Sequence, residues 1–195
     1  MKKFAVIADD LTGATDTGIQ FTNAGLSTLV VLDEALACDN DFDAVVLDTD
    51  SRGLGDGEAA RRARTAAERA LSCGAEVIYK KIDSTLRGRL GAELEAVRDA
   101  AGCDCVFVAP AFPRQGRTTR GGVQYGYGTP AGEAGAGRDP GGPAAGSRIV
   151  PLLESQGARP ALLVGVDLLR GGAQELRDAA AAGLREGVRY FVFDA

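Results

Sequence analysis

The chain has 195 residues, 45% of them hydrophobic and 25% charged, with a net charge of −5 and no histidine. That balance describes a globular chain of one domain or a little more. It speaks against a basic nucleic-acid or anionic-membrane surface. The lack of histidine excludes Ser-His-Asp and Cys-His catalysis and every His-ligated metal site.

Phe4–Ala8 is a short apolar run, read as a first strand, and Asp9-Asp10-Leu11-Thr12-Gly13 follows it. Residues 13–24 show helical spacing with Gly25 as the stop. Strands are predicted at Thr28–Leu32 and Ala44–Leu47, the second leading into Asp48-Thr49-Asp50-Ser51-Arg52. Glu58–Ser72 reads as a surface helix ending at Gly74, and Val77–Tyr79 as a strand leading into Lys80-Lys81. Ala92–Ala101 is the next helix. Cys105–Ala109 is a strand that runs into Pro110.

Residues 121–147 hold ten glycines and three prolines. Such a stretch buries little area against its backbone entropy, which predicts a loop or poor order. Regular patterning returns with a helix at 149–155, a strand at 161–164, a helix at 173–185 and a last strand at 190–193. A chain ending directly after a strand suggests that something normally follows. The alternation predicts an α/β fold, three-layered, with a mostly parallel sheet and helices on both faces.

The four cysteines, Cys38, Cys73, Cys103 and Cys105, match no zinc or thioredoxin spacing. They read as small apolar or surface residues of a cytoplasmic protein. No segment resembles a signal peptide or a membrane span.

Four polar clusters follow predicted strands, and in α/β folds the strand C-terminal ends are where ligands bind. Adjacent Asp9 and Asp10 repel unless a cation, a donor or a ligand hydroxyl compensates them. Thr12 and Gly13 open a helix whose first N–H groups suit an anion, although Asp10 or Thr12 could simply cap it. Lys80 and Lys81, with Asp83, Ser84 and Arg87, suit a carboxylate or phosphate; the bland alternative is a solvated charge run. Pro110–Thr119 carries two prolines, so it reads as a stiff non-helical loop that projects Arg114, Gln115 and Arg117. Asp48 and Asp50 alternate along an extended segment and so face one way, or else Asp50 pairs with Arg52. No P-loop and no GxGxxG motif is present, so no nucleotide site is expected in this chain.

In this order and at these strand ends, the motifs resemble the amino-terminal domain of the four-carbon acid sugar kinases, which phosphorylate threonate, erythronate or 3-oxo-tetronate with ATP. The likeness runs from Ala5 to about Gln124 and resumes from Arg138. Within the Gly-rich residues 121–147 only Gly128, Pro130, Arg138-Asp139-Pro140, Pro143 and Ser147 fit the family. The resemblance implies one acid-sugar-binding α/β domain over 1–195, with the Gly-rich excursion at 121–147. It also implies a separate carboxy-terminal domain, absent here, that would bind ATP and Mg. The implied substrate-binding residues are Asp9, Asp10, Thr12, Asp50, Arg52, Lys81, Ser84, Arg87, Arg114, Gln115 and Gly116. Among them Lys81, Arg87 and Arg114 would hold the carboxylate, and Asp9, Asp10 and Asp50 would accept from hydroxyls. Asp10, then Asp83, is the expected catalytic group near the attacking hydroxyl. The expected partners are a small sugar acid, the nucleotide-binding domain and a second copy in a homodimer, with no nucleic acid and no membrane. Two alternatives stand beside this: a non-catalytic acid-sugar-binding protein or truncated remnant, and, less favoured, a Mg-dependent phosphohydrolase.

Overall fold

The computed structural model describes residues 3–32, 41–133 and 147–195. These gather in two compact units, Met1–Asp83 with Glu93–Gly102, and Ser84–Ala92 with Cys103–Ala195.

The first unit holds β1 (Phe4–Ala8), α1 (Leu11–Asn23), β2 (Thr28–Val31), β3 (Ala44–Asp48), α2 (Asp56–Ser72), β4 (Val77–Lys81) and most of α3 (Leu90–Ala101). Its four strands are parallel in the order β2-β3-β1-β4. The central strand β1 is covered on both sides, which is why it reads as a continuous apolar run rather than an alternating one. Val6 and Ala8 pack with Ala14 and Val46, on the α1 side. Ile7 packs with Ala63, Ala67 and Val97, on the α2 and α3 side.

Small residues let the helices approach closely. The buried face of α2 is Ala59, Ala63, Ala67 and Ala70, a helical stripe of alanines below an Arg- and Glu-rich exterior. In α1, a Cβ on Gly18 would stand 3.2 Å from Val30 Cγ2. The chain leaves β1 through α1 on one face and β3 through α2 on the other. In α/β folds of this kind, ligands bind beyond the C-terminal ends of such adjacent strands.

The second unit has its own parallel sheet of β5 (Val106–Val108), β9 (Ala161–Val164) and β10 (Tyr190–Phe193), ordered β5-β10-β9. An antiparallel sheet of β6 (Arg117–Arg120), β7 (Val123–Gly126) and β8 (Thr129–Pro130) accompanies it, with helices α4 (Ile149–Ser155), α5 (Val166–Arg170) and α6 (Ala173–Arg185). The fold is α/β and mostly parallel as expected, but its parallel strands divide between two sheets. The cluster that begins at Pro110 follows β5, which pairs with β10, so it does not share a sheet edge with the clusters after β1, β3 and β4.

Two local expectations need correction. Pro110–Thr119 is not purely a non-helical loop: Pro113–Gln115 makes one 3₁₀ turn, and Arg117 already starts β6. Within the Gly-rich stretch, residues 121–133 are not a plain loop but carry β7 and β8. Polar anchoring replaces apolar burial there. Gly121 and Gly122 turn with φ of 57° and 72°, and both donate their N–H to the Asp194 carboxylate, at 2.8 and 2.9 Å. Gln124, fully buried, accepts from the Thr119 hydroxyl and donates to the Ser84 carbonyl at 2.8 Å. Residues 134–146, including the family-like Arg138–Pro140 and Pro143, lie outside the described residues, as does Cys38. Cys73 is disulfide-bonded, which departs from reading it as a simple apolar residue; Cys103 and Cys105 are free.

Candidate functional site

At the end of β1 the two aspartates take different jobs. Asp9 is 2% exposed and meets Arg52 side-on: Arg52 Nε lies 2.7 Å from one carboxylate oxygen and Nη2 3.1 Å from the other. Arg52 Nη1 also donates to Asp10 Oδ2. The repulsion between adjacent carboxylates is thus answered by a cation from the chain itself. That cation arrives from the loop after β3, held by the N–H groups of Ser51 and Arg52 on the Asp9 carbonyl, at 3.0 and 3.1 Å.

Asp10 is also the N-cap of α1. Its extended backbone (φ −147°, ψ 160°) lets Oδ1 accept from the Gly13 N–H at 2.8 Å. A Cβ on Gly13 would come within 2.7 Å of that oxygen, so glycine is required there. The Gly13 N–H thus serves the chain's own carboxylate, the capping role that stood as the alternative to an anion site at this helix start. Thr12 is exposed in the first turn.

The segment after β3 is also corrected. Asp50 adopts φ 44°, so the extended alternation stops at Asp48. Asp48 Oδ1 accepts from the Asp50 N–H at 3.0 Å. Arg52 pairs with Asp9 and Asp10 rather than Asp50, whose side chain is exposed. Burial pushes the Asp48 carboxyl above its ordinary pKa, the Asp50 N–H opposes this, and the charges of Asp50, Asp10 and Asp9 push the same way as burial.

The two lysines that end β4 diverge, because a strand's period of two sends neighbours to opposite faces. Lys80 is 3% exposed and forms an ion pair with Glu93, Nζ to Oε2 at 3.0 Å. It is therefore not the ligand-facing cation that its position beside Lys81 suggested. Lys81 is half-buried near α1, its Nζ donating to the Ile82 carbonyl at 2.8 Å. Burial lowers its pKa; Asp9, Asp83 and Asp10 oppose that, while Arg52 adds to it. Asp83 is 8% exposed, and its charge acts on Arg52 as well.

The structure therefore gathers Asp9, Asp10, Arg52, Lys81 and Asp83 in one unit. Carboxylates outnumber cations there, and such a crevice accepts hydrogen bonds from hydroxyls readily. Among the described residues, the hydrogen-bond partner of Lys81 Nζ is the Ile82 carbonyl rather than a carboxylate. Among the described residues no group of three His, Cys, Asp or Glu converges as a metal centre.

The remaining candidates belong to the second unit. The carbonyl of Ser84 is tied to Gln124, while Leu86, fully buried, sits at φ 64° beside half-buried Arg87. A buried leucine in the left-handed region is strained, and such strain gathers where surroundings over-determine a loop. Arg114 and Gln115 are exposed, and Gln115 Oε1 accepts from Arg117 Nη1 at 2.6 Å. Gly116 has φ 65°, and a Cβ there would come within 2.7 Å of the Tyr127 ring.

Glu93, Thr49 and Ser51 were missed by sequence reasoning. Glu93 could have been found: Leu90, Glu93, Leu94 and Val97 fall on one helical stripe, so an acid stands in an apolar row.

The family described as "Sugar-binding N-terminal domain" matches residues 4–195. A D-threonate kinase of Cupriavidus necator is 41% identical over 97% of this chain and 45% of its own length. A D-erythronate kinase of Heliobacterium modesticaldum is 34% identical over 100% of this chain and 45% of its own. A crystallised domain of unknown function from Bordetella bronchiseptica, solved with citrate as a domain-swapped dimer, superposes with a TM-score of 0.84 at 36% identity. That match covers 100% of this chain and 48% of the other. The chain thus spans about half the length of the curated relatives it matches. It belongs to the sugar-binding N-terminal domain family, the amino-terminal part of the four-carbon acid sugar kinases.

Proposed function

We propose that this chain is the substrate-binding part of an ATP-dependent kinase acting on threonate, erythronate or 3-oxo-tetronate. The observation that carries the proposal is the crevice of Asp9, Asp10, Arg52, Lys81 and Asp83 at the ends of β1, β3 and β4. A tetronate offers one carboxylate and several hydroxyls. Lys81 supplies the charge for the carboxylate. Asp9, Asp10 and Asp50 accept from hydroxyls. Thr12, Arg52, Ser84, Arg87, Arg114, Gln115 and Gly116 join the substrate-binding set on the family motif.

Phosphoryl transfer depends mostly on positioning and charge neutralisation. With one oxygen on Gly13 N–H and the other on Arg52, Asp10 is suited to orienting the attacking hydroxyl. Asp83 is the second choice for that role. ATP with Mg neutralises phosphate charge when bound, and we assign both to the part of the longer kinase beyond this chain. The cytoplasm, where such a kinase meets ATP, completes the reading. The domain-swapped Bordetella relative supports a homodimer, and its citrate supports a hydroxy-acid ligand.

The test is thermal stabilisation by D- and L-threonate, D-erythronate and 3-oxo-tetronate, each with and without Mg-ATP. A ligand at 100 times its Kd adds about 2.7 kcal/mol. One acid should stabilise the chain independently of Mg-ATP, and Lys81→Met should abolish the effect. A folded sample that responds to none of the four acids rejects the reading.

A further inference from the structure

The buried pair behind the crevice has a role that the substrate reading does not use. Lys80 and Glu93 are 3% and 2% exposed, and among the described residues their hydrogen bonds lead to strand ends of the site. Lys80 Nζ donates to the Lys81 carbonyl at 3.1 Å, so it holds the backbone of the crevice lysine. Glu93 Oε1, the oxygen turned away from Lys80, accepts from the Ser51 hydroxyl. The Ser51 and Thr49 hydroxyl oxygens lie 2.7 Å apart, and Thr49 donates to the Ala8 carbonyl at 2.8 Å. Ser51 directly precedes Arg52, and both donate their N–H to the Asp9 carbonyl.

A buried ion pair is seldom the most stable filling for a core, because an apolar pair of similar volume avoids the desolvation cost. What the pair gives here is geometry. One carboxylate oxygen is tied to β4 and the other to the loop after β3, and that loop carries Arg52. We propose that Lys80 and Glu93 are positioning residues: a buried strut that fixes the Arg52 guanidinium on Asp9 and Asp10 and sets Lys81 at its place in the crevice. Neither touches the ligand in this account. The affinity consequence rests on the sugar-acid reading; the effect on Arg52 does not.

The experiment compares the full chain with Lys80→Met/Glu93→Met, with Glu93→Gln, and with Val97→Ala as a core control outside the polar chain. Three readouts are taken: the thermal midpoint, solvent exchange of the Arg52 Nε–H proton by NMR, and the Kd for D-threonate and D-erythronate. The double variant should keep its midpoint within a few degrees while Arg52 Nε–H exchange accelerates at least tenfold. Glu93→Gln should accelerate it less. Val97→Ala should lower the midpoint and leave Arg52 exchange slow. Wherever the unaltered chain binds an acid, the double variant should bind it at least tenfold more weakly. Slow Arg52 exchange in a folded double variant overturns the proposal. If the double variant does not fold, Glu93→Gln decides: Arg52 exchange as slow as in Val97→Ala, or faster only in proportion to lost stability, also overturns it. No binding by the unaltered chain, together with strut-dependent Arg52 exchange, sinks the sugar-acid reading and leaves this inference standing.

Discussion

Arg52→Ala should reveal how much of the fold depends on answering Asp9. In the native chain the Asp9 carboxylate, 2% exposed, has Arg52 nitrogens 2.7 and 3.1 Å from its two oxygens. Removing one partner of a fully buried ion pair costs roughly 3–5 kcal/mol, because the other charge is stranded. Here the Arg52 side chain is 20% exposed and Asp10 25% exposed, so water can partly replace the lost contacts. We therefore expect a loss of about 2–3 kcal/mol at pH 7, measured by urea unfolding. Asp9→Asn in the Arg52→Ala background removes the stranded charge and should recover at least half of the loss. An Arg52→Ala chain within about 0.5 kcal/mol of native at pH 7 would refute the account, since that is the scale of an ordinary surface pair.

Three further outcomes follow from the same geometry. Lys81→Met should stabilise the unliganded chain at neutral pH, because burial lowers the Lys81 pKa and so penalises the charged form. The gain should shrink as pH rises through the window between that lowered value and about 10.4, where the unfolded lysine also loses its charge; urea titrations at pH 7 and 10.5 measure it. Gly18→Ala should cost about 1 kcal/mol or more by forcing a Cβ to 3.2 Å from Val30, whereas Gly57→Ala, in α2 with open space around it, should add roughly 0.5 kcal/mol; calorimetry that found the same sign for both would refute the close-packing argument. Asp194→Asn loses one of two acceptor oxygens for the Gly121 and Gly122 N–H groups, at a cost of about 1–3 kcal/mol, and hydrogen exchange should show those two amides opening faster.

The elements were legible because strand and helix periods are local. β1 is a bare apolar run, α2 shows an alanine stripe, and Gly25 and Gly74 follow their helices. What was not legible depends on partners far along the chain. The hairpin within residues 121–133 looked too poor in apolar residues to order, yet its backbone is held by Asp194, more than seventy positions away. The same distance effect governs the site. Asp9 and Asp10 announced a need for compensation, but Arg52 was one of several cations that could meet it. Lys80 and Lys81 looked equivalent as charges. Their alternation across β4 was readable, and with Glu93 standing in the Leu90, Leu94, Val97 row it would have separated the lysine of the core from the lysine of the crevice. An acid in an apolar helical stripe and a lysine on an apolar strand face each require a buried partner of opposite charge. Two such anomalies in one chain are best explained by each other, and that inference needs no structure.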